Sequence, residues 1–103
     1  MAESRVKMLM TYDVVPELQQ AYYEFVLGEM VPTAQSMGLV LSEAWHTAYG
    51  AYPIRLNGFV ARSRPELDRI LVSAEWQQLE DKLKRFVTGY QRKIVPYREG
   101  FQF

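Results

Sequence analysis

The stretch Leu39 to Arg62, LVLSEAWHTAYGAYPIRLNGFVAR, constrains the fold more than any other part of the chain. It reads as a β-hairpin of two strands joined at Gly50–Pro53. Side chains alternate along a strand, so the hairpin can be taken face by face. With residues 50–53 as the loop, Tyr49 faces Ile54, Thr47 faces Leu56, Trp45 faces Gly58 and Glu43 faces Val60. A strand glycine leaves room for a large ring, which suits Trp45 over Gly58. One face is then mainly apolar (Leu41, Trp45, Tyr49, Ile54, Leu56, Val60). The other is mixed, with His46, Arg55 and Asn57 near Phe59.

Before the hairpin, Arg5 to Val15 alternates as a strand. Val6, Met8, Met10, Tyr12 and Val14 share an apolar face; Arg5, Lys7, Leu9, Thr11 and Asp13 share the other. Pro16 and Glu17 then suit a helix start. The helix is expected to run from Glu17 to Met37, burying Leu18, Tyr22, Phe25 and Val26 with Ala21 beside them. Pro32 would press on the carbonyl of Gly28, so a kink or break is expected there. Gly38 stands where a C-cap glycine belongs.

After the hairpin, Ser63-Arg64-Pro65-Glu66 matches a capping box, opening a short helix with Leu67, Ile70 and Leu71. Ser73 caps the next helix, read from Ala74 to Arg92 on the spacing of Trp76, Leu79, Leu83, Phe86 and Tyr90. Glu80–Lys84 and Asp81–Arg85 form i,i+4 pairs on its polar side. Val95 to Phe103 is read as a short edge strand or a segment wrapping across a partner. The order strand, helix, strand, strand, helix pair, strand describes an α+β, ferredoxin-like antiparallel sheet with helices on one face. Its other face would expose Leu9, Val40, Ala44 and Phe59, too apolar for solvent alone, so a homodimer packed sheet against sheet is expected.

The 103 residues are expected to form a single domain. Twelve basic and 12 acidic residues leave no excess charge to recruit nucleic acid. No apolar run is long enough for a bilayer, and MAESRVKM has no signal-peptide core, so a cytoplasmic location is expected. With no cysteine and one histidine, thiol chemistry is excluded and a metal site is not expected. No glycine-rich loop precedes a helix ending in Lys-Ser/Thr, and no serine has a base placed by motif.

Gly38-Leu39, Trp45, Gly50 five residues on, Ser63 at a helix cap and Glu75-Trp76-Gln77 carry a resemblance over most of the chain. In element order the chain resembles the dimeric α+β barrel superfamily, and in these motifs it resembles NIPSNAP-like proteins. The resemblance implies two ferredoxin-like protomers joining their sheets around a central barrel. That superfamily includes haem-degrading and cofactor-free monooxygenases, lyases and many proteins of unknown function, among which a fold does not choose.

Haem is not expected. Trp45 and His46 are adjacent on a strand and point to opposite faces, and neither helix carries the axial histidine that the resemblance would require. No other cofactor is expected. The candidate pocket is the mixed sheet face, where Lys7, Thr11, Arg55, Asn57 and Phe59 would line the barrel interior and hold a small organic molecule. His46 is the candidate acid/base, with Arg55 and Asn57 steadying an oxyanion in a cofactor-independent monooxygenase- or isomerase-like reaction. The alternatives are that these polar groups satisfy one another, Asp13 with Arg55 and Asn57 with His46, or that the protein is a ligand-free assembly module.

Overall fold

In the computed structural model, residues 4–46 and 55–97 are described, with the side chains of 43–46 and 55–56 outside that description. Four strands form one antiparallel sheet in the order β2-β3-β1-β4: β1 (Val6–Val14), β2 (Val40–His46), β3 (Arg55–Ala61) and β4 (Val87–Pro96). The helices are α1 (Gln19–Phe25), α2 (Val31–Ser36), α3 (Arg64–Leu71) and α4 (Ala74–Lys84). This is the ferredoxin-like α+β arrangement expected from the element order. The hairpin loop Gly50–Pro53 and the pairs Tyr49–Ile54 and Thr47–Leu56 involve positions outside the described residues.

β1 behaves as its alternation predicts. Met8, Met10 and Tyr12 are fully buried beneath the helices, and Val14 nearly so. Pro16–Leu18 forms a single 3-10 turn before α1. That turn leaves Leu18 37% exposed, so it does not belong to the buried stripe. Tyr22, Phe25 and Val26 do, joined by Met30 and Ala34. Between α1 and α2 the chain winds through a π-helical turn, Val26–Met30. Pro32 is the cause: it has no N–H to give to Gly28, four residues back. The Val31 N–H instead reaches the Val26 carbonyl, five residues back, and the helix continues past the proline.

α2 ends in a Schellman cap around Gly38, at φ 104°. The Gly38 N–H donates to Gln35 O at 3.1 Å and the Leu39 N–H to Ala34 O at 3.0 Å. Leu39 and Ala34 are both buried, which completes the motif's apolar contact. The serine caps also form as predicted. Ser63 Oγ accepts from the Glu66 N–H at 3.3 Å, and Ser73 Oγ from the Trp76 N–H at 3.2 Å.

Two further expectations are corrected. The last helix stops at Lys84, and Val87–Pro96 is a strand along β1. Phe86 and Tyr90 continued the helical spacing, but β-branched Val87 and Thr88 followed by Gly89 favour extended chain. Glu80 accordingly turns to Tyr90 and Arg92 of β4 rather than to Lys84. The hairpin register also differs. Trp45 pairs with Leu56, and Gly58 with Glu43, because Ser42 forms a bulge between the pairs Leu41–Phe59 and Glu43–Gly58. The Ser42 hydroxyl donates to the Gly58 carbonyl at 3.2 Å.

A second bulge sits in β4, where Gly89 and Tyr90 together oppose Tyr12. Gly89 has φ 65°, with nothing within 4 Å of where a Cβ would stand. Its requirement is therefore purely conformational. Gly89→Ala should cost about 1–2 kcal/mol in chemical denaturation. Gly28, which lacks a positive φ and is equally uncrowded, should gain up to ~1 kcal/mol when changed to Ala. Equal effects at the two sites would contradict this account.

Candidate functional site

The pairing of β1 with β3 decides which side each candidate residue occupies. Met8 lies opposite Phe59 and Met10 opposite Asn57, so both β3 residues share the helix-covered face. Phe59 is 1% exposed within the core. Asn57 Nδ2 donates to the Tyr12 hydroxyl at 2.5 Å, and Tyr12 and Tyr22 share a hydroxyl–hydroxyl hydrogen bond of 2.7 Å. In the same backbone register Arg55 pairs with Tyr12, and His46 with Arg55. Lys7 and Thr11 alternate onto the open face. The predicted constellation is thus divided: Lys7 and Thr11 lie on one side of the sheet, Asn57 and Phe59 on the other, with the backbone positions of His46 and Arg55 in step with the second pair. The expectation that all of them share the barrel interior is corrected on this point.

The Asn57–Tyr12–Tyr22 chain is the polar centre of the core. It ties β3, β1 and α1 together beneath the helices, with each group paired as buried polar groups require. Tyr12 stacks on Tyr90 at 6.3 Å, which leads to a charged cluster at the sheet edge. There the Tyr90 hydroxyl donates to Glu80 Oε2 at 2.5 Å, and Arg92 Nη1 donates to the same oxygen at 2.6 Å. Glu80 is only 13% exposed, so this contact is better shielded than the surface pair of Lys82 with Glu29. Trp76 is a distinct case: its indole Nε1–H is buried in the core with no acceptor among the described residues.

The open face carries a different arrangement. One row crosses all four strands as Val40, Val60, Lys7 and Val95. Val40 is 61% exposed, whereas Lys7 and Val60 are each 8% exposed. Beyond β4, the Tyr97 N–H donates to Arg5 O at 3.0 Å, extending the ladder by one bond. That places the Tyr97 ring 5.1 Å from the Arg5 guanidinium and 5.4 Å from the Lys7 ammonium. Beside this row opens a groove of about 360 Å³, lined by Arg5, Val40, Ser42, Val60, Arg62 and Tyr97 together with Leu41 and Ala61. Such a volume falls within the ~300–1,000 Å³ of small-ligand sites.

Sequence reasoning did not name Arg5, Arg62, Ser42 or Tyr97 as candidates, and Lys7, which it did name, stands beside the groove rather than in its lining. Tyr97 reaches Arg5 only because β4 pairs with β1, and that stretch carried a helical spacing. The Ser42 bulge had no signal in the alternation at all.

Together these features define a ferredoxin-like α+β domain with one covered and one open sheet face. The same fold recurs in solved structures. A NIPSNAP-like domain protein of unknown role from Burkholderia xenovorans matches with a TM-score of 0.71 at 15% identity, over 97% of this chain and 90% of that one. A NIPSNAP family protein from Agrobacterium tumefaciens matches at 0.66 and 15%, over 96% and 90%. A Nitrosomonas europaea protein provisionally assigned as an antibiotic biosynthesis monooxygenase matches at 0.66 and 14%, over 94% and 91%. The likeness is one of fold. No family model matches the sequence, and no curated protein matches it either. Among the described residues, no three histidine or acidic side chains gather to hold a metal, and no helix is long and apolar enough to cross a membrane.

The Tyr90–Glu80 contact gives the fold a pH signature. Burial first, then the hydrogen bond to the Glu80 carboxylate and its charge, hold the Tyr90 hydroxyl above the usual tyrosine range, with Arg92 opposing. A raised folded-state value means that the contribution is complete below the unfolded value of about 10 and is lost as pH rises beyond it. Stability should therefore fall on alkaline titration above about pH 10, and Tyr90→Phe should flatten that fall in denaturation curves. An unchanged slope in the variant would contradict the assignment.

Proposed function

We propose that the protein is a homodimer, packed sheet against sheet, that binds a small organic molecule in the groove on its open face. The observation that carries this reading is the one-sidedness of the sheet. The helices cover one face; on the other Val40 is exposed and Leu9 and Val95 are half-buried, while Val60 and Lys7 between them are already largely buried within the protomer. Sheets bury such faces by stacking about 10 Å apart, and burying a half-exposed aliphatic side chain contributes on the order of 1 kcal/mol. A second copy supplies a surface of matching width. The groove lies on the same face, beside the Val40–Val60 end of the row, so pairing of the sheets would convert an open cleft into an enclosed one. Lys7 and Thr11 alternate onto the same face, and in this reading they border that interior.

Leu9, near the middle of the face and away from the groove lining, is the position to test. Leu9→Glu places a like charge from each copy in the contact. In sedimentation equilibrium it should weaken the dimer about 100-fold or more while circular dichroism stays native. A wild-type monomer, or a dimer indifferent to Leu9→Glu, would overturn the packing.

A second reading is favoured by the backbone register of His46 and Arg55, in step with Tyr12 and Asn57 on the covered face. There a cofactor-independent proton transfer or oxygenation would use His46 as acid/base and the Asn57 amide toward an oxyanion. The provisional monooxygenase assignment of the Nitrosomonas europaea protein lends it an analogy in fold only. His46→Ala should then abolish turnover of an identified substrate at unchanged dimer mass. Retained turnover would sink this reading.

A further inference from the structure

We propose that Tyr23, Tyr22, Tyr12 and Tyr90 form an electron relay: the protein is oxidised at its surface and holds the resulting radical on Tyr90, with Glu80 taking the phenolic proton. This reading depends neither on the groove nor on the dimer. Two observations carry it. The four rings are in unbroken contact from the surface through the core, and a carboxylate accepts the hydroxyl of the last one.

The rings set the path. Tyr22 lies edge-on to Tyr23 at 5.4 Å between ring centroids and edge-on to Tyr12 at 5.8 Å, and Tyr12 stacks on Tyr90 at 6.3 Å. All three spacings fall within the ~4.5–7 Å of direct aromatic contact. Tyr12 and Tyr22 are buried, whereas Tyr23 on α1 is 40% exposed. The path therefore begins where a diffusing oxidant can reach it and crosses from α1 through β1 to β4. Electron transfer between rings depends on their separation and not on a hydroxyl being free. The further contacts that Tyr12, Tyr22 and Tyr23 make therefore do not interrupt it.

The far end decides where the oxidation rests. A phenol that loses an electron becomes strongly acidic, and it keeps the radical only if its proton has a base to go to. The Tyr90 hydroxyl already donates to Glu80 Oε2 at 2.5 Å, a short charge-assisted bond to a carboxylate. Lys84 Nζ stands 5.3 Å from the centre of the same ring, and Arg92 Nη1 donates to the same oxygen at 2.6 Å. Both cations oppose a positively charged ring, so electron and proton leave Tyr90 together. The step balances. The oxidant, a diffusible radical of the carbonate radical anion type, takes one electron from Tyr23. An electron passes from Tyr90 along Tyr12 and Tyr22 to refill Tyr23, and these three phenols keep their protons. Tyr90 hands its proton to Glu80 Oε2 and ends as a neutral tyrosyl radical beside a neutral carboxylic acid.

The test fixes the point of entry. The sequence has no cysteine, and Leu27, four residues beyond Tyr23, is 69% exposed, so Leu27→Cys provides a single thiol for a ruthenium tris-bipyridine photo-oxidant. Flash-quench oxidation of the labelled full chain with a nitroso spin trap, followed by peptide mass spectrometry, reads where the radical rests. The adduct is expected on Tyr90. Tyr23→Phe in the same labelled chain removes the first oxidisable ring and should abolish that adduct while circular dichroism stays native. Glu80→Gln keeps an oxygen to accept the hydroxyl but removes the base, so the adduct should move back to Tyr23. Tyr12→Phe should move it back as well, and the Tyr23 and Glu80 variants decide the matter if loss of the Tyr12 hydroxyl prevents folding. A Tyr90 adduct that survives Tyr23→Phe or Glu80→Gln would overturn the relay. So would an adduct confined to Tyr23 or found on Trp76 in the labelled Leu27→Cys chain, or no adduct on any of the four tyrosines.

Discussion

The pairing of β1 with β3 governs the rest of the molecule. Met10 opposite Asn57 and Met8 opposite Phe59 place the odd residues of β3 under the helices and its even residues on the open side. A one-residue slip would exchange the two sets and bring Gly58 and Val60 into the core in place of Phe59. The hydroxyl of Tyr12 opposes such a slip. It accepts the Asn57 amide and meets Tyr22 on α1, so the correct register is also the one that satisfies three buried polar groups. From that choice follow the charge and hydropathy of the open face, and the groove that lies on it.

Local devices elsewhere act to protect this arrangement. The π-helical turn at Val26–Met30 lets a helix containing Pro32 stay continuous, keeping Met30 and Ala34 over the sheet. The Schellman cap at Gly38 then delivers the chain into β2 with Leu39 buried. At the opposite edge of the sheet, the bulge at Gly89 turns Tyr90 so that it can both stack on Tyr12 and donate to Glu80. The buried Trp76 Nε1–H stands apart from these paired groups, since an unpaired donor costs about 1–3 kcal/mol and no acceptor meets it among the described residues.

Much of the fold was legible in the residues, and its gaps have identifiable causes. The alternation of β1 and the serine caps at Ser63 and Ser73 rest on local chemistry, and they were read correctly. So was the C-cap glycine. The strand β4 was hidden because Phe86 and Tyr90 extend a helical spacing through Val87-Thr88-Gly89, where backbone preference outweighs periodicity. The bulge at Ser42 was invisible to any pattern of period two, and the depth of the hairpin register depends on tertiary pairing rather than on its turn. Those two gaps account for the site. With β4 unread, Tyr97 had no route to Arg5, and with β3 paired only to β2, Asn57 and Phe59 were assigned to the wrong side. Lys7 and Thr11 stay together on one face because their alternation depended on β1 alone.

The central claim is that the open face is a shared interior occupied by a ligand. Native mass spectrometry on protein purified gently from cells tests it directly, since subunit count and bound mass are read in one spectrum. The account predicts a dimer carrying additional mass, released on denaturation as a small organic molecule. A monomer, or a dimer whose mass equals that of two bare chains at every stage of purification, would contradict it.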